Sequence, residues 1–269
     1  MKRLFYKIII STFLMFSYSS CNLNNEPLQK ENYSVLINFI SNSSHQKIYI
    51  YKTLMPNESV RKFIENNTIN NWVCTNALIQ ISQNSTIFED FSIAIDTIKN
   101  RIKSIEKFYT NNSNLQITPN TKYYLKIETD NIIITGSTIV PGDFQLQSPL
   151  ENQTFHYNND FDSSVVIPIK WTKSSNVSGY IVNVDYYDEF NFNYDRVLSY
   201  TSSNKETKFN YIQNFGSSYN TKGRFRIEVL AFDKNYYSHV IKNLPSAGLN
   251  GAYGYFGSTV LKTVTIYIE

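Results

Sequence analysis

The chain has 269 residues, of which 42% are hydrophobic and 17% are charged. This length accommodates one large domain or two domains of about 100–130 residues each. The formal net charge is +3, and three basic residues lie among the first twenty, so the rest of the chain is close to neutral. A near-neutral chain without a basic cluster excludes the charge pattern of nucleic-acid-binding proteins.

Residues 1–20 have the pattern of a secretory signal peptide. Basic residues lie between positions 2 and 7, and the apolar segment IIISTFLMF follows. This segment is too short to span a bilayer comfortably. Ser19 and Ser20 precede Cys21 and resemble a bacterial lipobox, although Tyr18 replaces the usual leucine. The pattern predicts cleavage before Cys21 and its acylation, which anchors the chain in a membrane. The alternatives are a secreted protein or a short uncleaved anchor.

The chain has two cysteines, Cys21 and Cys74. If Cys21 carries lipid, Cys74 has no partner for an intrachain disulfide. The apolar residues around Cys74 predict a small buried side chain rather than a nucleophile. The polar residues 21–32 lack periodicity and are predicted to form a flexible tether.

The segments after the tether alternate apolar and polar residues, as half-buried β-strands do. In TKYYLKIET, Tyr123, Leu125 and Ile127 share one face. A strong breaker, Pro141-Gly142, ends this first set of strands.

The second half of the chain shows the same alternation. In GRFRIEVLAFD the apolar residues from Phe225 to Ala231 face one way, and Arg224, Arg226 and Glu228 face the other. The whole pattern predicts an all-β protein with two antiparallel β-sandwich domains in tandem, at residues 33–141 and 142–269. The second domain resembles a fibronectin type III or immunoglobulin-like sandwich, with Trp171 on an early strand.

Two segments have helical spacing. The segment PNESVRKFIENN, residues 56–67, has capping residues before an apolar face and is a candidate helix. The isoleucines of residues 92–108 also recur at helical spacing, but their β-branched side chains and neighbouring strands favour a hairpin that turns near Asn100. The sequence leaves helix and strand open there.

A glycine-rich segment, Ser246–Val260, precedes the last predicted strand. Its glycines are Gly248, Gly251, Gly254 and Gly257. It lacks the lysine-serine or lysine-threonine pair that follows the last glycine of a phosphate-binding loop, and a strand rather than a helix follows it. The glycines permit positive φ angles and close approach of the backbone. Tyr253, Tyr255 and Phe256 are therefore predicted either to pack onto the sandwich or to form a contact surface.

The sequence contains no motif that indicates catalysis or a cofactor. His45, His156 and His239 lie far apart, and no zinc-ligand spacing or nucleophile elbow occurs. The acidic segments at 160–162 and 185–195 have oxygen ligands that calcium prefers, but they lack the EF-hand order and favour solvated loops and strand ends. We therefore expect a non-enzymatic protein without a metal site.

An aromatic segment, DYYDEFNFNYDR, is the strongest candidate for ligand contact. Its aromatic residues include Tyr187, Phe190, Phe192 and Tyr194. Aromatic faces beside acids and amides suit sugars or peptides, and the alternative is that these residues pack at the rim of the sandwich.

The segments AFDKNYYSHV and GAYGYFGSTVLKTVTI resemble the C-terminal end of a Bacteroidota-type family of outer-membrane lipoproteins of unknown function. IYIYKTLMP, NALIQIS, ITPNTKYYLKIE and GSTIVPGDFQLQSP follow in the family's order, so the resemblance covers most of residues 33–269. It implies an N-terminal immunoglobulin- or transthyretin-like domain and a C-terminal fibronectin-like domain. Family members often occur beside TonB-dependent outer-membrane transporters, which implies an accessory or ligand-capture role and no catalytic residues.

These patterns support two hypotheses. The leading one is a non-enzymatic outer-membrane lipoprotein that binds an envelope partner, such as a transporter, or a nutrient. The second is a cell-surface carbohydrate-binding module that uses the aromatic residues. The sequence leaves open the face of the membrane, the ligand and the oligomeric state.

Overall fold

The structure is a computed structural model. It describes residues 33–41, 43, 45–53, 73–99, 103–112, 115–156, 166–189, 192–210 and 222–269. The predicted signal peptide, Cys21 and its tether, the candidate helix at 56–67 and the acidic segment at 160–162 lie outside these residues.

The described residues form an all-β structure, as the alternation predicts. In the first half, the strands are β1 (Tyr33–Ile40), β2 (Ile48–Lys52), β3 (Leu78–Gln83), β4 (Thr86–Phe88), β5 (Phe91–Lys99), β6 (Lys103–Asn111), β7 (Lys122–Thr129) and β8 (Ile132–Ile139). In the second half, they are β9 (Leu146–Ser148), β10 (Gln153–Phe155), β11 (Val166–Trp171), β12 (Gly179–Asp188), β13 (Asn193–Ser202), β14 (Glu206–Asn210), β15 (Gly223–Phe232), β16 (Ser246–Ala247), β17 (Leu249–Asn250) and β18 (Tyr253–Ile268). A short helix α1 (Lys234–Tyr236) and a π-helical turn (Tyr237–Ile241) connect β15 to β16.

The strands form three sheets. The largest has the order β13, β12, β15, β18, β1, β2, β6, β5, with β10 and β16 also beside β18. A second sheet has the order β17, β8, β7, β3, β4, and a third has the order β14, β11, β9. Most neighbours are antiparallel, but β1, β10 and β16 run parallel to β18.

The first sandwich packs the β1 end of the large sheet against the five-stranded sheet. Alternate residues of β1 and β7 point inward, and Phe39 meets Tyr123 edge-on with ring centroids 5.6 Å apart. Both rings are fully buried. Burial of an aromatic side chain of this size contributes roughly 1.5–3 kcal/mol, so these contacts hold the two sheets together.

The second sandwich packs the three-stranded sheet against β13, β12, β15 and β18. Trp171 of β11 lies 5.2 Å from Tyr180 of β12, and Phe209 of β14 lies 6.2 Å from Phe225 of β15, measured between ring centroids. Seven strands in two facing antiparallel sheets form the sandwich architecture of immunoglobulin-like and fibronectin type III domains. The predicted position of Trp171 on an early strand is confirmed.

Within residues 92–108, the described residues 92–99 and 103–108 belong to two paired antiparallel strands, and the predicted turn near Asn100 lies outside the described residues. β5 and β6 pair along their whole length, from Phe91 opposite Asn111 to Lys99 opposite Lys103. The helical spacing of the isoleucines is therefore incidental, and the interpretation that favours strands is confirmed.

The last strand belongs to both sandwiches. Its first part, Tyr253–Thr259, pairs in parallel with Ser34–Ile40 of β1. Its second part, Thr259–Ile268, pairs antiparallel with β15. The sequence predicts a division of the chain near residues 141–142, and this division stays a prediction. The pairing shows that the C-terminal residues also complete the sheet of the first half.

The glycine-rich segment permits this pairing. Gly254 has a φ of +98°, and a Cβ atom there would lie 2.1 Å from the carbonyl oxygen of Val35. Gly248 has a φ of +70°, and a Cβ atom there would collide with the side chain of Asn235. Only glycine combines this backbone conformation with such close approach, so these two glycines have a structural role.

Asp233 joins the two sandwiches at the start of α1. Its carboxylate accepts hydrogen bonds from the backbone N–H of Tyr236, at 2.8 Å, and from the hydroxyl of Thr138 on β8. The Thr138 hydroxyl also lies 3.1 Å from that of Ser258 on β18. Burial raises the pKa of Asp233 above its ordinary value, although these hydrogen bonds oppose the effect.

Candidate functional site

The outer surface of β12, β13 and β15 carries a cluster of arginine, tyrosine and acidic side chains, which we call the arginine–tyrosine face. It consists of Asp185, Tyr187, Tyr194, Arg196, Arg224, Arg226 and Glu228. The alternation that buries Phe225, Ile227 and Val229 of β15 turns the arginines and Glu228 outward.

A β-bulge brings the residues of β13 onto this face. Val184 lies opposite Leu198, but the next residue, Asp185, lies opposite Arg196, so Val197 is the extra residue. A bulge of this kind changes which residues of the bulged strand face outward. Arg196 therefore lies beside Asp185, and Tyr194 beside Tyr187, instead of pointing into the sandwich.

Asp185 is the centre of the charged network. Its side chain is 1% exposed. Arg196 donates to one carboxylate oxygen from Nε at 2.5 Å, and Arg226 donates to the other from Nη2 at 2.7 Å. Burial raises the pKa of Asp185, but the hydrogen bonds and positive charges of both arginines outweigh burial and lower that pKa below its ordinary value.

Glu228 extends the network along the sheet. Its carboxylate accepts a hydrogen bond from Arg196 at 3.0 Å and forms an ion pair with Arg226, at an N–O distance of 3.3 Å. Asn183 links the same glutamate to the hydroxyl of Ser199 through hydrogen bonds of 3.4 and 2.8 Å. Arg196 and Arg226 are thus paired with two carboxylates and have little charge left to attract a ligand.

The tyrosines lie beside this network. The rings of Tyr187 and Tyr194 have centroids 5.0 Å apart. Arg226 lies 4.2 Å from the Tyr194 centroid, and Arg224 lies 5.4 and 5.6 Å from the centroids of Tyr187 and Tyr194. These distances are within the range of cation–π attraction, so both rings hold the guanidinium groups in place.

Arg224 differs from the other two arginines. It is exposed, and it forms no ion pair with a carboxylate among the described residues. Its guanidinium therefore keeps hydrogen-bond donors that the tyrosine rings orient but do not use. An ordered, unpaired guanidinium is suited to bind a carboxylate or phosphate.

The structure brings together two of the four predicted aromatic residues, Tyr187 and Tyr194. Tyr187 and Tyr194 are half-buried neighbours, and Phe192, at the tip of the β12–β13 hairpin, is 82% exposed. Phe190 lies outside the described residues. The sequence pattern predicts that Arg224 and Arg226 face outward, but it does not reveal the buried Asp185 that organises them.

The second predicted group, Tyr253, Tyr255 and Phe256, does not join this face. Along β18, Tyr253 is about 46 Å from Tyr267, the neighbour of Arg224, at about 3.3 Å per residue. Of the two alternatives predicted for Phe256, packing onto the sandwich is confirmed and a contact surface is excluded, because Phe256 is fully buried and meets Phe39 edge-on at 5.0 Å. Its side chain fills the core of the first sandwich.

Tyr253 and Tyr255 are half-buried. Tyr255 stacks against His239 at 5.0 Å and meets Tyr236 edge-on at 5.8 Å. Burial raises the pKa of Tyr255 above its ordinary value. The Tyr255 ring therefore packs the π-helical turn against the sheet, and His239 and Tyr236 contact it.

Cys74 is fully buried and forms no disulfide with any described residue. Its Sγ lies 3.1 Å from Asn76 Oδ1 and 3.1 Å from Thr129 Oγ1. The prediction of a buried side chain is confirmed, but the thiol makes polar contacts rather than filling apolar space alone.

Across the residues that the structure describes, no three histidine, cysteine, aspartate or glutamate side chains are grouped so that they could hold a metal ion. The described helices also include none that is long and apolar enough to cross a membrane.

No protein-family model and no curated protein matches this chain. Several solved structures of titin are similar to it. A three-immunoglobulin-domain titin structure has 10% identity and a TM-score of 0.24, and the match covers 88% of this chain and 64% of that one. A chimeric titin Z1Z2 tandem has 10% identity and a TM-score of 0.23, with 88% and 97% covered. A third titin structure has 11% identity and a TM-score of 0.22, and the match covers 88% of this chain and 97% of that one.

Proposed function

We propose that this protein is a non-enzymatic, lipid-anchored protein of the cell envelope that uses the arginine–tyrosine face to bind a partner protein. The observation that carries this proposal is the cluster of Tyr187, Tyr194 and Arg224 on an open sheet surface beside the exposed Phe192. Tyrosine, phenylalanine and arginine are enriched in protein interfaces, and tyrosine and arginine dominate their binding energy.

The proposed location depends on the signal peptide and on Cys21. Two acyl chains on Cys21 supply stable anchoring, and residues 21–32 hold the sandwiches away from the bilayer. The resemblance to Bacteroidota outer-membrane lipoproteins favours the outer membrane and a TonB-dependent transporter as the partner. Both β-sandwiches then act as an accessory module without a cofactor.

The location is tested by labelling living cells with a clickable fatty acid. We expect the label on the wild-type chain and none on Cys21→Ala. Protease added to intact cells then distinguishes a surface-exposed protein, which is digested, from one on the periplasmic side. Absence of label from the wild-type chain would contradict the lipid anchor.

The partner-binding role is tested by pulldown from native membranes. We expect a partner that the wild-type chain and Lys208→Gln recover and that Tyr187→Ala and Arg224→Ala lose. Lys208 is an exposed cation on β14, on the opposite sheet of the same sandwich, and serves as the control. A partner recovered equally by all four proteins would exclude this face from the interface.

A second candidate function is carbohydrate binding. The exposed ring of Phe192 favours it, because sugars stack on open aromatic faces. The arginines over Tyr187 and Tyr194 argue against it, since they occupy ring faces that a sugar would need. A glycan array that detects binding by the wild-type chain and none by Phe192→Ala would favour this alternative.

A further inference from the structure

We infer that Arg224 is an anion-binding site and that the partner docks on it with a carboxylate of an acidic polypeptide segment. This inference rests on the proposed partner-binding function and specifies the chemistry of the partner. It depends on three features of the arginine–tyrosine face: the paired arginines, the unpaired one and the exposed aromatic ring beside them.

The first feature is the internal pairing of Arg196 and Arg226. Asp185 accepts hydrogen bonds from both arginines, and Glu228 forms ion pairs with both, at N–O distances of 3.0 and 3.3 Å. Two positive charges therefore face two negative charges within the sheet surface. A ligand carboxylate gains little by displacing Asp185, because the buried aspartate would then lose its partners.

The second feature is the preorganisation of Arg224. The guanidinium lies between 5 and 6 Å from the centroids of Tyr187 and Tyr194 and has no carboxylate partner among the described residues. The rings restrict the side chain before a ligand arrives, which reduces the entropy lost on binding. A planar guanidinium matches a carboxylate through two parallel hydrogen bonds.

The third feature is the surface around Arg224. It lies on an open strand face between Tyr187 and Tyr267, and Phe192 stands exposed on the adjacent hairpin. Small ligands are usually bound in concave sites, whereas an extended polypeptide can place a carboxylate on Arg224 and apolar groups against Phe192. The site therefore suits an acidic protein segment better than a free small anion.

The test uses the full chain and a short fluorescent peptide that alternates glutamate and glycine. A peptide with glutamine in place of glutamate is the uncharged control, and fluorescence anisotropy reports binding. We expect the glutamate peptide to bind at low salt and the glutamine peptide not to bind. Arg224→Gln should weaken binding about tenfold or more, because it removes a charge-assisted bidentate contact.

Two further variants distinguish the guanidinium from charge alone. Arg224→Lys keeps the charge but loses the planar fork, so its affinity should lie between those of the wild type and Arg224→Gln. Lys208→Gln removes one positive charge from the opposite sheet and should bind like the wild type. Equal weakening by Lys208→Gln and Arg224→Gln would overturn the site in favour of net charge.

Failure of this inference is distinct from failure of the proposed function. If the glutamate peptide does not bind while the native pulldown still recovers a partner through Tyr187, the proposed carboxylate of the partner is wrong. The proposed interface is then retained. If an acidic oligosaccharide such as oligogalacturonate binds through Arg224 and the peptide does not, the proposal that a polypeptide supplies the carboxylate is overturned. If the peptide binds but the pulldown finds no partner, the proposed function fails.

Discussion

The glycine-rich end of β18 and the arginine–tyrosine face are both rich in aromatic residues, but they differ in what surrounds the rings. At the glycine-rich end, Phe256 lies in the core, because the backbone at Gly254 approaches β1 closely. On the arginine–tyrosine face, guanidinium groups cover Tyr187 and Tyr194, and Phe192 stays exposed. Aromatic residues beside glycines build the fold here, whereas aromatic residues beside arginines lie at the surface and orient the guanidinium groups.

The largest expected difference between the two regions comes from truncating one ring in each. Phe256→Ala leaves a cavity between the sheets and should lower the free energy of unfolding by about 3–5 kcal/mol. Phe192→Ala removes an exposed ring and should change it by less than about 0.5 kcal/mol. Urea unfolding followed by fluorescence measures both, and equal losses would contradict the assignment of the two rings.

The glycine-rich end should also be sensitive to a single methyl group. Gly254→Ala places a Cβ atom 2.1 Å from the Val35 carbonyl oxygen, at a residue whose φ is positive. We expect the free energy of unfolding to fall by about 3 kcal/mol. Gly223→Ala is the control, since Gly223 also has a positive φ but its nearest contact, 3.4 Å, is ordinary. We expect a loss of about 1 kcal/mol there. If both substitutions lower the free energy of unfolding equally, close approach to β1 is not the reason why residue 254 is a glycine.

On the arginine–tyrosine face, the buried carboxylate should matter more than any exposed one. Asp185→Asn removes the charge that pairs Arg196 with Arg226, and we expect a loss of about 2 kcal/mol. Asp143→Asn breaks a more exposed ion pair with Lys262 and should cost less than about 1 kcal/mol. Chemical denaturation at neutral pH compares the two variants, and a larger loss for Asp143→Asn would contradict the central role of Asp185.

The pH dependence of stability should have opposite signs for Asp185 and Asp233. The folded-state pKa of Asp185 is lowered, so its stabilisation is present above the unfolded pKa of about 4 and is lost as pH falls through the folded pKa. The pKa of Asp233 is raised, so its contribution is present below about pH 4 and is lost as pH rises through the folded pKa.

Two asparagine variants measure these opposite effects, which are smaller than the effects above. Relative to the wild type, Asp185→Asn should become more destabilising as pH rises from about 3 to 5. Asp233→Asn should become less destabilising as pH rises above about 4. Unfolding by urea at several pH values gives both curves. Parallel curves would show that the two carboxyl groups do not differ in the stated way.

The alternation of apolar residues predicts the strands well, because each strand has one buried face. The predicted inward faces of β7 and β15 are confirmed by Tyr123, Leu125 and Ile127 and by the alternate residues from Phe225 onward. The parallel pairing of β18 with β1 was not predicted. It joins residues more than two hundred positions apart, and no local pattern specifies such a contact.

The candidate site was predicted only in part for a related reason. The aromatic residues and the outward arginines follow from composition and alternation. The bulge at Val197 reverses which residues of β13 face outward, and this reversal is needed to place Arg196 beside Asp185 and Tyr194 beside Tyr187. A strict period of two would instead turn both side chains into the sandwich, so the network depends on a local irregularity of the backbone.

We expect the arginine–tyrosine face, and not the glycine-rich end, to contact the partner. A photoreactive amino acid placed at Phe192, or at Leu244 as an exposed control near the glycine-rich segment, tests this in living cells. We expect a cross-linked envelope protein from Phe192, its loss when Arg224 is replaced by glutamine, and no cross-link from Leu244. A cross-link from Leu244 alone, or one from Phe192 that persists without Arg224, would contradict it.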